Sequence, residues 1–327
     1  MRLPRLSPTA FRRLALASLV ALVLVSVVGA GVRLTGSGLG CSSWPSCEPG
    51  SFTPRSASDG HAVIEFVNRL INAAVGLLAI ATVVGAHRRD PRRADLQRWA
   101  WAVLAWVVAN GLVGALVVWL HLSPVSVIGH FALALGAIAS ALVLHQRAGE
   151  ADGAAPRRLA ATPRFLNAAR ALVAAAGVVL VTGTVVTGSG PHAGDERADR
   201  LALDIGEVVR VHGVSMVVFL ALTVAVVRMA HRGEASPAVQ QRSHELLVVL
   251  VAQAAVGYWQ YFTGVPALLV AFHVLGALLV WVAVLRLWLA LRPVAATEPA
   301  ARPAGATAGA GTGTAAAAAG ARRAATT

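Results

Sequence analysis

Between Ala267 and Arg286 the chain reads ALLVAFHVLGALLVWVAVLR, an apolar stretch interrupted only by His273. A helix needs about 20 such residues to cross the hydrocarbon core of a bilayer. Inside that core only a helix or a closed barrel satisfies its own backbone polar groups. The stretch therefore reads as a transmembrane helix carrying one imidazole. Seven runs of the same kind precede it, at roughly 14–32, 62–86, 99–120, 125–145, 170–188, 210–230 and 245–263. Arg12 and Arg13 precede the first run, as they would a signal peptide, but its length and the lack of a convincing cleavage site mark it as a helix. Composition agrees: of 327 residues 57% are hydrophobic and 13% charged, about half the charge of a soluble domain. The expected fold is an all-α membrane protein of eight transmembrane helices.

Net charge is +13, and all 28 basic residues are arginine. The arginines sit in short clusters between apolar runs rather than along one face, which excludes a nucleic-acid-binding protein. Arg2, Arg5, Arg12 and Arg13 mark the N-terminus. Arg88, Arg89, Arg92, Arg93 and Arg98 mark the 87–98 link, Arg147, Arg157, Arg158 and Arg164 the 147–169 link, and Arg232 and Arg242 the 231–244 link. These alternate segments read as cytoplasmic. The 189–209 loop instead holds Asp195, Glu196, Asp199, Asp204 and Glu207 against Arg197 and Arg200. The expected topology is multi-pass in the cell membrane with both termini cytoplasmic. The segments are a cytoplasmic N-terminus (1–13), a four-helix half (14–146), a cytoplasmic linker (147–169), a second four-helix half (170–290) and an Ala/Gly/Thr/Pro-rich tail (291–327) read as disordered. Cys41 and Cys47 fall in an outer loop, an oxidising side where a disulfide is the default and a redox-active pair or free thiols are the alternatives.

The halves resemble each other. Thr35-Gly36-Ser37-Gly38 follows the first run and Thr187-Gly188-Ser189-Gly190 the fifth. Gly114 precedes His130 by sixteen residues, and Gly257 precedes His273 by the same sixteen; Pro124 or Pro266 opens the helix between. The expected arrangement is two pseudo-symmetric four-helix bundles.

Ionisable groups inside a bilayer are costly, so each is a functional candidate. His87, His145, His231 and His244 lie at cytoplasmic helix ends, and His121 and His192 in outer loops. His130, His212 and His273 lie near the outer starts of helices four, six and eight. Helix two opens with His61, Glu65, Asn68 and Arg69, of which positions 61, 65 and 68 share a face. Zinc or copper sites favour short local spacings or added thiolates and carboxylates. Histidines on separate helices suit a flat macrocycle with axial imidazoles. His212 and His273 make one such pair. In the first half His130 stands against the polar cluster of helix two. Glu65 is the catalytic candidate, able to move a proton at the membrane edge, with a Glu65–Arg69 ion pair as the compatible structural reading. Arg33 and Arg69 are candidates for clamping propionates.

These residues resemble the heme A synthase family over about 14–290: Gly31-Val-Arg33-Leu-Thr-Gly-Ser-Gly-Leu-Gly-Cys41, Trp44-Pro45-Ser46-Cys47, Ile64-Glu65-Phe66-Val67-Asn68-Arg69, Gly129-His130, Val211-His212 and Phe272-His273. The resemblance implies oxidation of a heme O methyl group to a formyl group, giving heme A for terminal oxidases. It implies heme b held by His212 and His273 in the C-terminal half, heme O met by His130 in the N-terminal half, a catalytic role for Glu65 and a Cys41–Cys47 disulfide. A heme O synthase is a natural neighbour, an electron donor is a further partner, and a homo-oligomer is compatible with the pattern. One position departs: the family reads Glu-x-x-His-Arg and this chain has Asn68. Asparagine is a poor iron ligand, so either His61 supplies the nitrogen or His130 alone holds the substrate iron. Two other readings remain at this point, a non-catalytic b-type heme protein passing electrons and a transporter.

Overall fold

The computed structural model describes residues 5–152 and 161–291. Within them the chain forms α1 (Pro8–Leu34), α2 (Gly60–Arg88), α3 (Ala94–Trp119), α4 (Pro124–Ala148), α5 (Pro163–Ser189), α6 (Ile205–Met229), α7 (Pro237–Phe262) and α8 (Ala267–Ala290), with a π-helical turn, Ala230–Glu234, extending α6. All 8 helices are long and apolar enough to cross a membrane, and the described residues contain no strand beyond isolated bridges. The expected all-α transmembrane architecture holds. The tail expected to be disordered, 291–327, lies almost wholly outside the described residues, as do Arg2, Arg157 and Arg158.

Several helices begin well before their apolar runs. Ser7 accepts a hydrogen bond from the Ala10 amide with Pro8 behind it, Thr162 one from Phe165 with Pro163, and Ser236 one from Val239 with Pro237. A Ser or Thr cap followed by proline is a strong helix start, because the side chain satisfies a free amide and proline has none to lose. Asp59 and Asp204 cap α2 and α6 in the same way. The arginine-bearing turns that the apolar runs exclude are thus still helical.

In the first half α1 packs on α2, α2 on α3, α3 on α4 and α4 back on α1. In the second half α5, α6, α7 and α8 close the same ring. The diagonal partners, α2 with α4 and α6 with α8, have no extended packing among the described residues. The halves meet where α8 lies against α1 and α4, and where α4 meets α5. Two apolar cores result. One gathers Phe11, Leu19, Val83, Leu96, Ile138 and Leu144, and the other Phe165, Leu172, Phe219, Leu246 and Leu250. Helix α8 serves both: Leu278 is buried in the first core and Val280, Val284 and Leu287 in the second.

At the arginine-rich end buried charge is paired. Arg89, 1% exposed, donates to Asp152 at 2.8 Å and to the Pro91 carbonyl. Arg93 pairs with Asp95 at 2.8 Å, and Arg147 reaches the same carboxylate. The Asp95 carboxylate pushes the Arg93 guanidinium above its usual value. At the opposite end Trp119, Tyr258, Trp259, Tyr261 and Phe262 are exposed, the placement expected of amphipathic rings at a membrane–water boundary.

Candidate functional site

The histidines singled out by depth share a local construction. A β-carbon at Gly257 on α7 would stand 3.0 Å from His273 Cε1, one at Gly183 on α5 would stand 3.1 Å from His212 Cε1, and one at Gly114 on α3 would stand 3.3 Å from His130 Cε1. Each ring is therefore laid on a neighbouring helix where a glycine makes room for it. Each is half-buried, and Nε2 of all three makes no hydrogen bond among the described residues.

Their second nitrogens differ. His212 Nδ1 stands 3.0 Å from Thr182 Oγ1. That hydroxyl also lies within reach of the Val178 and Val179 carbonyls and 3.0 Å from Ser215 Oγ; when its proton goes to a carbonyl it accepts the Nδ1 proton, and Nε2 keeps its lone pair outward. His273 Nδ1 lies 3.0 Å from Gln253 Nε2, which also donates to the His273 carbonyl at 2.8 Å. His130 Nδ1 is buried with no partner, although Asn110 donates to the His130 carbonyl at 3.2 Å.

Helix α2 presents its polar residues to different neighbours. His61 is exposed, with Nδ1 2.9 Å from Ser37 Oγ. Glu65 is 4% exposed. Its carboxylate accepts from the Cys41 amide at 2.7 Å and from Arg69 Nε and Nη2 at 3.1 and 2.5 Å. Arg69 in turn donates to the Ser43 and Ser46 carbonyls, both inside the loop closed by the Cys41–Cys47 disulfide. The expected i, i+4 ion pair is present, and it clasps that loop. Asn68 lines a groove of about 390 Å³ with Val28, Gly31, Val32, Thr35, Val63, Ile64 and Val67. Nothing lies within 4 Å of a β-carbon at Gly31, so the α1–α2 contact lacks the ring-on-glycine seat found between α5 and α6. Arg33 donates to the Thr187 carbonyl at 2.5 Å, and its Nε is buried without a partner.

Sequence reading missed Thr182, Asn110 and Gln253. The signal was present: Asn110, Gly114 and His130 recur at the same spacing as Gln253, Gly257 and His273. No cluster of three or more His, Cys, Asp or Glu suited to a bare metal ion occurs among the described residues. Separated imidazoles with unbonded Nε2 atoms, seated on glycines, fit an axially held macrocycle better than a naked cation.

The architecture defines a class: a multi-pass helical membrane protein with imidazoles set into its bundles near the disulfide-bearing end. A family model described as cytochrome oxidase assembly protein, COX15-CtaA, matches residues 12–194. That is more than half of the chain, which belongs to this family. The matched region holds Cys41, Cys47, Glu65, Asn68, Arg69 and His130, while α6 to α8 lie beyond it. The chain is 35% identical to a heme A synthase of Symbiobacterium thermophilum over 151 residues, 46% of this chain and 48% of that protein. It is 29% identical to a heme A synthase of Bacillus licheniformis over 144 residues, 44% of this chain and 47% of that protein. A protoheme IX farnesyltransferase of Thermus thermophilus shares 38% identity over 94 residues, 28% of this chain and 15% of that protein. The chain thus spans about half the length of the heme A synthases it matches.

Proposed function

We propose that this protein is a heme A synthase, oxidising a methyl group of heme O to a formyl group to give heme A for terminal oxidase assembly. One observation carries the reading: three half-buried imidazoles, each seated on a glycine of the adjoining helix with Nε2 unbonded, on helices that stand diagonally in their bundles. His212 and His273 would hold heme b through their imidazole nitrogens. His130 would meet the iron of heme O, with Asn68 or His61 opposite and Arg33 and Arg69 toward the propionates. When bound, the cofactor supplies one-electron chemistry. The chain's own part is to orient both rings, to exclude water through the apolar cores and to hold Glu65 at the membrane edge. In this reading both termini face the cytoplasm and the disulfide loop faces the oxidising side. A heme O synthase and an electron donor are its partners; the farnesyltransferase relative supports the first of these by the chemistry its name describes.

A second reading, a b-type heme protein that only passes electrons, is favoured by one fact: the Glu65 carboxylate is already bonded to Arg69 and to the Cys41 amide. Expression beside a heme O producer under aerobic conditions separates the two. Pigment extracted from the membranes is expected to contain heme A under the first reading. Bound heme with unchanged porphyrin would support the second.

The glycine seats give a further expectation. Valine at Gly257 would drive its branched side chain into a ring only 3.0 Å from the first added carbon. The Gly257→Val protein is expected to lose several-fold in bound heme per protein, measured by pyridine hemochromogen. Gly29→Ala, where nothing lies within 4 Å of the new carbon, is the control expected to keep its pigment. Equal heme in both would remove the seat from the argument.

A further inference from the structure

We infer that Gln253 is the positioning residue that makes His273 a lasting heme ligand, and that its shorter counterpart Asn110 leaves His130 an exchangeable one. The inference rests on the heme reading above.

Gln253 lies on α7 one turn before Gly257, so its amide reaches the ring that Gly257 seats. The amide faces both acceptors of His273, the ring Nδ1 at 3.0 Å and the main-chain carbonyl at 2.8 Å. Its Oε1 is buried without a partner. A β-carbon on Gly276, which lies on α8 beside His273, would collide with this amide, so the glycine keeps the space in which the amide sits and turns. An imidazole that ligates iron through Nε2 carries its proton on Nδ1 and holds its orientation by donating that proton. As placed, the amide nitrogen faces Nδ1; the ligating tautomer requires the terminal amide to turn so that the unpartnered Oε1 accepts the Nδ1 proton, giving up the bond to the main-chain carbonyl in exchange. Gln253 thereby fixes both the angle of the ring and the nitrogen left for the metal.

Asn110 occupies the matching place on α3, at the same spacing from Gly114 and His130. Its side chain is shorter by one methylene. It bonds the His130 carbonyl at 3.2 Å, while His130 Nδ1 stays buried and unpartnered. Among the described residues no side chain there locks the ring in the ligating tautomer; the acceptor nearest to it is the Asn110 main-chain carbonyl. A half that must admit one porphyrin and release another needs a ligand of this kind, and a half that keeps its porphyrin needs the other.

Full-length protein purified from heme-replete cells tests this through its rate of heme loss to excess apomyoglobin, followed by absorbance, together with its midpoint potential. Gln253→Met keeps the volume of the side chain and removes both hydrogen-bonding atoms. It is expected to speed heme loss by about tenfold or more. Gln253→Glu keeps an acceptor for Nδ1–H; it is expected to hold heme as firmly as the wild type and to lower the midpoint potential, since a carboxylate makes the imidazole more electron-rich. Asn110→Gln, with heme supplied to the first half, is expected to slow loss from that half. If the Met variant yields no folded protein, the Glu variant decides: loss as fast as in a ligand-deleted protein overturns the proposal. Wild-type retention in Gln253→Met overturns it while leaving the heme reading intact. A colourless wild-type protein sinks both.

Discussion

His273→Ala and His212→Ala, each purified from cells with ample heme, are expected to carry about tenfold less pigment per protein, or less, than the unaltered chain. The expectation follows from the seats of the two rings. His212 is oriented by Thr182 at 3.0 Å and His273 by Gln253 at 3.0 Å, each over a glycine. Removing one imidazole leaves a hydroxyl or an amide beside the gap, neither of which replaces an imidazole as an iron ligand. The heme would then be held by one imidazole where two had held it, and binding would weaken. His231→Ala is the matched control. His231 pairs with His244 at 2.7 Å between their Nε2 atoms at the arginine-rich end, far along the helices from the glycine-seated rings. That variant is expected to keep its full pigment. Undiminished absorbance in the His212 and His273 variants would mean that these rings are not the ligands.

The second large effect concerns Glu65 and Arg69. Glu65 is buried and Arg69 largely so, with side-chain exposures of 6% and 18%. Arg69→Ala removes the carboxylate's charged partner and the donor to the Ser43 and Ser46 carbonyls in one step. Deleting one partner of a buried ion pair costs about 3–5 kcal/mol, because the other charge is left uncompensated. The variant is expected to denature at markedly lower temperature, by size-exclusion after heating, with the outer loop the first part to become protease-sensitive. Glu65→Gln is milder. An amide still accepts from the Cys41 amide proton, and Arg69 keeps its two carbonyls. It is expected to keep the fold and the bound heme while heme A production falls to background. Heme A output equal to that of the unaltered chain would assign Glu65 to anchoring the loop and nothing more.

Much of the fold was legible because the bilayer imposes a simple rule on length and polarity. The run 267–286 differs from α8, Ala267–Ala290, by a few residues at one end. The apolar criterion fails where helices leave the hydrocarbon. It starts α1 at 14 and α5 at 170, whereas Ser7-Pro8 and Thr162-Pro163 start them at 8 and 163. Cap chemistry, not hydropathy, sets those ends. Within the site, charge and depth made His130, His212 and His273 conspicuous. Thr182, Asn110 and Gln253 were not, since a neutral hydroxyl or amide costs little enough to blend into an apolar helix. Positions 61, 65 and 68 were read as one face. The structure gives that face three different neighbours: Ser37 for His61, the disulfide loop for Glu65 and a groove between α1 and α2 for Asn68. Spacing along one helix fixes direction, but the partner across the gap depends on a loop whose path apolar periodicity does not encode.

Helix α8 places Leu278 in one core and Val284 in the other, and it is synthesised after the other seven. The first four spans can close their ring as soon as they are inserted, whereas α5, α6 and α7 must wait in the lipid with a side open. Biogenesis is therefore asymmetric. The ribosome has to deliver residues up to about 290 before the later bundle can shut and, by the same event, dock on its predecessor.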